Sequence, residues 1–551
     1  MPRCSIAPSH APVAAVAALA ALAVPVAVAL SLTAAGLAAP AGASEAGTAM
    51  VHVHGRLLVV AAEQPGQRQL YGVALADGEI VEVRGRFAGN ARTGEVFDGL
   101  LAADPAALRL AGRLGQPLRV VGTPSVTPGA AAATPTVHQQ FVAALDNEGA
   151  LGQDDTQLLA HVSAVGSYWQ TESNGAIAGS TVPSTVDHYD TALSTTDCGL
   201  GSDFFTVVEE AEQQFPDFSF DGSDQLVLFV PPSCGSGSVV GEGTVGSSFA
   251  SGGALVVKAG DSIEGTYAHE TGHNYGFEHA NARVGRTSME YYGVYDVMGF
   301  ALPAPYNQLT ALSTPYRVFQ GITDPGEIKN VHPGQDNRAV RVAAVIRPRG
   351  DSSGLRSLRV IDPDTGEHLY LDYRSAAGED AGAYYGRSGG ASLSYSGGVV
   401  RYSPGVVVTA ARAGSGVDDL VLDKAGDTAL AAGTRWRDRS HALVVRVTRL
   451  DGDGAHVVVR YPSQTLASSR PVIHGQARVG RTLTAAHGHW TRGTTFHYAW
   501  YAGKVLLAHR SGRTLTLTRA QRGLRVRVRV TGTKRGYAKV SRTSATSSKV
   551  A

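Results

Sequence analysis

The chain has few cysteines: apart from residues 1–43, only Cys198 and Cys234 occur. Neither lies near the histidine-rich segment 268–279, so neither is expected to ligate a metal there. Two cysteines in an exported chain most simply form one disulfide, which would stabilise the fold by roughly 3–4 kcal/mol through loop closure. A pair of buried free thiols is the alternative.

Long apolar stretches are also scarce, and only residues 11–37 are almost wholly apolar. Arg3 precedes this stretch and the small residues 41–43 follow it, which predicts a secretory signal peptide over residues 1–43. The stretch is long enough to span a bilayer, so an uncleaved N-terminal membrane anchor is the alternative. Because no later segment is apolar enough to cross a membrane, we expect a secreted, extracellular protein.

Acidic residues are missing from residues 470–551, although the whole chain has 48 basic and 47 acidic residues. Arginine alternates with valine over residues 524–530, which would place a positive stripe on one face of a strand. Such a stripe favours an anionic partner, for example a cell-wall polymer or an acidic polysaccharide, and a merely solvated face is the alternative. Nothing in the sequence matches a sequence-specific nucleic-acid-binding fold.

The sequence does contain a dense group of potential metal ligands, because residues 269–279 read H-E-x-x-H-x-x-G-x-x-H. His269 and His273 are four residues apart and would share one face of a helix. Gly276 can take a positive φ angle, end the helix and turn the chain so that His279 reaches the same ion. Three histidine ligands leave a fourth tetrahedral position open, which is typical of a catalytic zinc site.

Two further residues are expected to serve this site. Glu270 directly follows the first histidine and can reach a metal-bound water without ligating the metal, as a general base must. Met298 follows the third histidine by about twenty residues and is placed as in a Met-turn. The alternatives are an amphipathic helix with solvated histidines and a methionine that only fills a core.

These motifs resemble the metzincin metallopeptidases, and in particular the gametolysin-like peptidase family. The resemblance rests on His-Glu-Thr-Gly-His-Asn-Tyr-Gly-Phe-Glu-His-Ala at 269–280 and Tyr-Gly-Val-Tyr-Asp-Val-Met-Gly at 292–299. It implies an α+β fold, in which a metzincin-type catalytic domain with a mixed sheet and a long zinc-binding helix is flanked by all-β domains. It also implies one catalytic Zn2+ on the three histidines, above Met298 as an apolar floor. Phe300 stands where some metzincins have a tyrosine ligand.

Alternating patterns and linkers suggest how the rest of the chain is divided. Residues 44–137 contain no cysteine. The cysteine that keeps many metzincins inactive is therefore absent, and latency, if it exists, must use another group or simple occlusion. The predicted domains are a signal peptide at 1–43, a β-rich prosegment-like domain with a linker at 44–137, a zinc metallopeptidase domain at 138–326, a β-sandwich-like domain at 327–462 and a basic Ig-like β domain at 463–551.

Inside residues 138–326, helical spacing predicts helices over 156–170 and 204–215, and short apolar runs predict strands over 225–230 and 254–258. Residues 451–454 read Asp-Gly-Asp-Gly, which favours a hairpin turn over a calcium loop because the rest of an EF-hand is missing. Structural Ca2+ is therefore possible but has no support in the sequence.

We therefore expect a secreted zinc-dependent endopeptidase that hydrolyses peptide bonds of extracellular proteins, with Glu270 as the general base. One alternative is a non-catalytic surface-binding or adhesion protein on a metallopeptidase scaffold. Another is a zinc hydrolase that acts on a non-peptide substrate such as wall polymer. The intact Glu270 and the complete histidine triad argue against the non-catalytic alternative.

Overall fold

The computed structural model describes residues 50–551 apart from 65–66, 88–89, 103–116, 128–134, 147, 194–197, 202, 236–238, 285–286, 335–338, 351–353, 389, 396, 412–417, 422–425, 463, 508–510 and 535–536. The predicted signal peptide at 1–43, and its alternative as a membrane anchor, lie outside the described residues. Among the helices that are described, none has the length and apolar character needed to cross a membrane.

The chain is mostly β, so the predicted α+β metzincin-type fold with a long zinc-binding helix is wrong. Strands make up 42% of the structure and helices 12%. The described α-helices are α1 Asp155–Glu172, α2 Phe204–Glu212, α3 Ile263–Asn274 and α4 Thr314–Phe319. The histidine-bearing α3 has only 12 residues. It stays short because the chain turns away at Gly276, and the sequence beyond it alternates with the period of strands.

The described strands are numbered in chain order. The first thirteen are β1 Met50–Val60, β2 Leu70–Ala74, β3 Ile80–Arg84, β4 Val96–Ala102, β5 Leu118–Thr127, β6 Thr136–Leu145, β7 Ile177–Thr181, β8 Asp187–Tyr189, β9 Gln225–Val230, β10 Gly241–Gly243, β11 Gly253–Lys258, β12 Ala280–Val284 and β13 Thr287–Met289. The next thirteen are β14 Ile328–Val331, β15 Val340–Ile346, β16 Ser357–Ile361, β17 His368–Arg374, β18 Ala391–Tyr395, β19 Gly398–Tyr402, β20 Gly405–Ala411, β21 Asp418–Val421, β22 Ala429–Leu430, β23 Arg435–Arg437, β24 Val444–Asp451, β25 Gly454–Tyr461 and β26 Gln464–Thr465. The last eight are β27 Val472–His474, β28 Thr482–Ala486, β29 Thr495–Ala502, β30 Val505–Leu506, β31 Thr514–Thr516, β32 Val526–Thr533, β33 Tyr537–Ala538 and β34 Val540–Thr543.

Strands β1 to β5 close into a barrel in the order β1-β2-β3-β5-β4. Leu57 and Val59 of β1 point into the barrel core. The intervening Leu58 and Val60 point the other way, into a core that they share with α2 and the following sheet. Because successive side chains of a strand alternate between faces, one strand serves two cores and ties the barrel to the rest of the chain.

The second sheet has the order β10-β11-β9-β6-β7, and β8 also pairs with β6. Its central strands β6, β9 and β11 are parallel, and β10 is antiparallel at the edge. Helix α1 buries Leu158, Val162, Val165 and Trp169, which confirms the predicted amphipathic helix. The strands predicted at 225–230 and 254–258 are confirmed as β9 and β11. Trp169 links α1 to α3 by donating a hydrogen bond from its indole nitrogen to the carbonyl of Ala268 at 3.2 Å.

The third sheet has the order β13-β12-β21-β20-β17-β16-β14 and packs against a fourth, β15-β25-β24-β23, through a common apolar core. Strands β12 and β13 come from the segment after His279, whereas the others come from residues beyond 326. The sheet thus draws on both sides of that predicted boundary, and the domain limits stay predictions. Strands β24 and β25 pair Asp451 with Gly454, so the predicted hairpin turn is confirmed.

The last part of the chain forms two smaller sheets, β27-β28-β31 and β30-β29-β32-β34, around one core. In β32 the valines are buried, whereas Arg527 and Arg529 lie on the other face near the ring of Tyr501. The predicted arginine stripe therefore occupies one face of a strand. The Ig-like assignment stays a prediction.

The two cysteines of the described chain, Cys198 and Cys234, form the predicted disulfide. Both are buried beside the core that the barrel shares with α2. The bridge closes a sequence separation of 36 residues, and a loop of that size contributes roughly 4 kcal/mol to stability in the chain-entropy description.

Glu172, at the C-terminal end of α1, is a buried carboxylate with 2% of its surface exposed. The backbone nitrogen of Leu312 donates a hydrogen bond to it at 2.9 Å. Burial raises the pKa of Glu172 to about 7, even though the charge of Arg349 acts to lower it. The folded chain thus holds a proton that the unfolded chain releases at lower pH.

We predict that Glu172→Gln stabilises the protein above neutral pH. The stability linked to the raised pKa is fully present below about pH 4.5 and is lost as the pH rises through about 7. Glutamine has no such proton to lose and keeps an acceptor for Leu312. Urea unfolding should show the variant up to about 3 kcal/mol more stable than the parent at about pH 8, with little difference at about pH 4. An equal effect at both pH values would contradict the prediction.

Candidate metal centre

Helix α3 presents His269 and His273 on one face, with ring centroids 4.9 Å apart. The helix ends where Gly276 takes a φ angle of 86°. The nitrogen of Gly276 donates to the carbonyl of His273, and that of Phe277 donates to the carbonyl of Gly272, which is the bonding of a glycine-terminated helix. The prediction that Gly276 ends the helix and turns the chain is confirmed.

The turn brings His279 back to the other two histidines. Its ring centroid lies 5.4 Å from that of His269 and 5.0 Å from that of His273. Strand β12 begins at the next residue, Ala280, whose nitrogen donates to the carbonyl of Met298 at 2.7 Å. The structure therefore gathers the three predicted ligands and ties the third one to the predicted Met-turn.

Hydrogen bonds fix the orientation of all three imidazoles. In each ring Nδ1 contacts a carbonyl or carboxylate oxygen, which only accepts, so Nδ1 carries the hydrogen and Nε2 keeps its lone pair. All three Nε2 atoms are buried and have no hydrogen-bond partner among the residues that the structure describes. The Nδ1 contacts run from His269 to Val297 O at 3.1 Å, from His273 to Phe277 O at 2.7 Å and from His279 to Glu290 Oε1 at 2.8 Å.

A fourth possible ligand, Glu63, comes from the barrel and was not anticipated from the sequence. Its Oε1 lies 3.4 Å from His273 Nε2, and its Oε2 lies 3.5 Å from His279 Nε2. One ligand atom from each of Glu63, His269, His273 and His279 lies within 4.8 Å of the others, so these residues could hold one metal ion. A single glutamate after a strand has no local sequence pattern that would predict such a role.

The charges in this cluster depend on one another. Burial lowers the pKa of His269 to about 3. Burial acts in the same direction on His279, but the negative charge of Glu63 and the hydrogen bond that His279 donates to Glu290 raise its pKa to about 9. Burial also opposes the ionisation of Glu63, yet the positive charge of His279 holds the pKa of Glu63 well below its usual range. The buried negative charge of Glu63 is therefore stabilised by a positive charge beside it, which a protonated His279 or a bound cation can supply.

Glu270, the predicted general base, is 2% exposed and points toward this cluster from α3. Its Oε2 has no hydrogen-bond partner. Burial, with the charge of Glu63, raises the pKa of Glu270 well above its usual range. A Cβ atom added at Gly241 of β10 would lie 2.7 Å from Glu270 Oε1, so this edge strand approaches the carboxylate closely because it has a glycine there.

Met298 is fully buried beside α3, on the turn that the sequence predicted. A Cβ atom added at Gly272 would lie 2.3 Å from its sulfur, which places Met298 against the helix between the positions of His269 and His273. The nitrogen of Met298 donates to the carboxylate of Asp296 at 3.0 Å. Met298 thus supports the helix from below, and its predicted role as the floor of a metal site stays a prediction.

Tyr291 is a second residue that the sequence analysis missed. Its φ angle is 65°, a conformation that non-glycine residues rarely adopt. Its ring centroid lies 4.1 Å from that of His279. Its hydroxyl donates to Glu63 Oε2 at 2.8 Å. A tyrosine hydroxyl thus reaches the cluster from position 291, and the ring of Tyr291 packs against Phe300.

A cavity of about 730 Å3 opens beside the cluster and reaches both His269 and Glu270. It is large enough for the side chain of a substrate and part of its backbone. The segment after His279 forms much of its wall. Its apolar and aromatic lining consists mainly of Val240, Met289, Tyr292, Phe300 and Tyr395.

Two smaller groups of possible ligands lie outside this centre. Exposed acidic groups of this kind are common without an ion. These groups give no support for structural Ca2+ beyond that in the sequence. The groups are Asp451, Asp453 and His456, and Asp362, Asp364 and Asp438.

No protein-family model matches the chain, and no curated protein matches it. The likeness at residues 269–280 and 292–299 therefore remains a resemblance of sequence motifs. The function has to follow from the chemistry of the site itself.

We predict that His273→Ala abolishes stoichiometric metal binding without unfolding the chain. Removal of one ligand should lower the affinity for Zn2+ by at least roughly tenfold to a hundredfold. His188→Ala is the matched control, because the imidazole of His188 is hydrogen-bonded to Asp146 and Asp155 near the surface. Equilibrium dialysis would measure bound metal, and the melting temperature would show the stabilisation by the ion, about 2.7 kcal/mol at a hundredfold excess over Kd. Equal binding by His273→Ala and the parent would exclude this metal site.

Proposed function

We propose that the protein is a secreted zinc-dependent endopeptidase. The observation that carries the proposal is the set of three buried Nε2 atoms without hydrogen-bond partners, next to Glu270 and an open cavity. Imidazole nitrogens suit zinc better than calcium or magnesium, which prefer oxygen ligands. The resemblance of the motif to gametolysin-like peptidases points the same way.

Zinc held by the histidines supplies a Lewis acid that activates water and polarises the scissile carbonyl. Burial raises the pKa of Glu270, which makes its carboxylate a stronger base than an exposed one. Glu270 takes the proton of the attacking water and passes it to the amine that leaves when the C–N bond breaks. The hydroxyl of Tyr291 lies beside the carboxylate of Glu63. From there it can donate a hydrogen bond to the substrate carbonyl oxygen.

An extended peptide suits the surroundings of these groups. Strand β10 is the edge of its sheet and lies against Glu270. A peptide that pairs with such an edge is bound through its main chain, largely independent of its side chains. The cavity beside His269 would then receive the side chain that follows the scissile bond.

Export fits the remaining features. The predicted signal peptide and the disulfide between Cys198 and Cys234 both suit an oxidising, extracellular location. The arginine face of β32 would hold the enzyme near an anionic wall polymer or polysaccharide. Cleavage of purified wall but not of protein would instead favour a hydrolase of wall polymer, and binding without any cleavage would favour an adhesion protein.

We predict that Glu270→Gln lowers kcat/KM for an unfolded protein substrate by about a hundredfold to ten-thousandfold, because the water loses its base. The bound zinc should be unchanged. Glu264→Gln is the matched control: it lies on the same helix and contacts His161, away from the cluster. Both variants are assayed with and without a chelator. Each chain also carries Glu63→Gln, so that the carboxylate beside His273 and His279 does not block the site. Full activity of the Glu270→Gln chain, or activity that survives the chelator, would exclude the mechanism.

We also predict a preference for large apolar side chains after the scissile bond, since the cavity is lined by Met289, Phe300 and several tyrosines. In a peptide series with phenylalanine, leucine, alanine or aspartate at that position, the first two should be cleaved at least about tenfold faster in kcat/KM. Mass spectrometry of the products would locate the cut. Equal cleavage of all four peptides would contradict the assignment of the cavity.

A further inference from the structure

The edge of the sheet that a substrate would use is already occupied by the chain itself. Val60, the last residue of β1, forms an antiparallel bridge with Thr244 directly after β10. The nitrogen of Ala61 donates to the carbonyl of Gly243 at 2.9 Å, and the nitrogen of Val245 donates to the carbonyl of Val59 at 2.6 Å. The end of β1 thus adds a strand to β10 in the way proposed for a peptide.

The same register leads directly to the metal cluster. Counted on from the bridge between Val60 and Thr244, position 63 falls opposite Gly241, the glycine that lies against Glu270. The side chain of Glu63 is 6% exposed and reaches His273 and His279 from there. Its carboxylate therefore stands where the fourth ligand of the ion belongs.

The distances at Glu63 are those of ligands that share an ion. Two atoms each about 2.05 Å from a tetrahedral zinc are about 3.3 Å apart. The carboxylate oxygens lie 3.4 Å and 3.5 Å from the Nε2 atoms of His273 and His279, whereas direct N–H···O hydrogen bonds are about 2.7–3.2 Å long. Oε1 is buried without a hydrogen-bond partner, and Tyr291 holds Oε2 in place.

We propose that Glu63 is the fourth ligand of the bound metal, and that residues 59–63 fill the place of the substrate so that the intact chain is latent. The latency rests on the proposed peptidase function, whereas the ligation does not. A carboxylate in the fourth position excludes the attacking water, and the paired edge excludes the peptide. Residues 44–137 contain no cysteine that could bind the metal. The carboxylate of Glu63 takes that role in this proposal.

Activation then requires the release of Glu63 and not the loss of the whole barrel. Leu58, Val60 and Ile80 are fully buried in the core shared with α2. Detaching the barrel would expose these apolar side chains to water, which is unfavourable. A cut or a displacement near residue 63 frees the ligand position and leaves that core intact.

The test compares the full-length chain with Glu63→Gln, which keeps the shape of the side chain and an acceptor for Tyr291 but removes the charge. We expect the affinity for Zn2+, measured by competition with a chromogenic chelator, to fall at least about tenfold. Casein cleavage should rise at least about tenfold over the parent, because the substrate no longer competes with Glu63 for the metal site. Glu82→Gln, a barrel carboxylate beside Arg84, is the matched control and should change neither quantity.

Binding of a peptide hydroxamate to the zinc-loaded chains provides a readout that does not depend on turnover. The inhibitor needs an open metal position, so it should bind Glu63→Gln at least about tenfold more tightly than the parent. If it does so but no form cleaves casein, Glu63 is the ligand and the peptidase proposal fails. If the parent cleaves casein and binds the hydroxamate as well as the variant does, the peptidase stands and Glu63 is no ligand. A fall of both zinc affinity and activity in Glu63→Gln would mean that Glu63 has a merely structural role.

Discussion

The structure around α3 depends on the burial of ligand atoms that no protein group satisfies. A buried polar atom without a partner costs several kcal/mol, and a buried unpaired charge costs more. Here the Nε2 atoms of His269, His273 and His279 and one oxygen of Glu63 are all in this position. Since each Nδ1 is already hydrogen-bonded, no ring can turn to find another partner without breaking a bond. A divalent cation at this position would satisfy all four atoms at once.

Close packing around the helix is what keeps these atoms together. Gly272 allows the sulfur of Met298 to lie against α3, and Gly241 allows β10 to lie against Glu270. A larger residue at position 272 would push Met298 away from the helix, and one at position 241 would push β10 away from Glu270. Close contacts at the backbones of Gly272 and Gly241 thus set the geometry of the site on both sides of α3. The cavity opens beside them, next to Phe300.

The site could be predicted from the sequence to the extent that it is local. His269, Glu270, His273 and His279 lie within a few helical turns, and the conformation of Gly276 follows from its lack of a side chain, so their arrangement can be derived from spacing alone. Glu63 and Tyr291 reach the site through the pairing of β1 with β10 and through a left-handed backbone, neither of which has a local pattern. The predicted fold class was wrong for a related reason. It rested on the histidine motif, which describes one helix. The sheets depend on contacts far apart in sequence, such as the pairing of β12 with β21.

The way β1 is held has a consequence for how tightly Glu63 occupies its position. Leu57 and Val59 anchor one face of the strand in the barrel, while Leu58 and Val60 anchor the other face in the core with α2. A strand fixed on both faces and paired along both edges loses little further entropy when its next residues bind a metal. On the proposed ligation, Glu63 would compete with water and substrate at a high effective concentration. Control of this centre depends on the few residues between the end of β1 and Glu63, because only there can the ligand be released without breaking into a core.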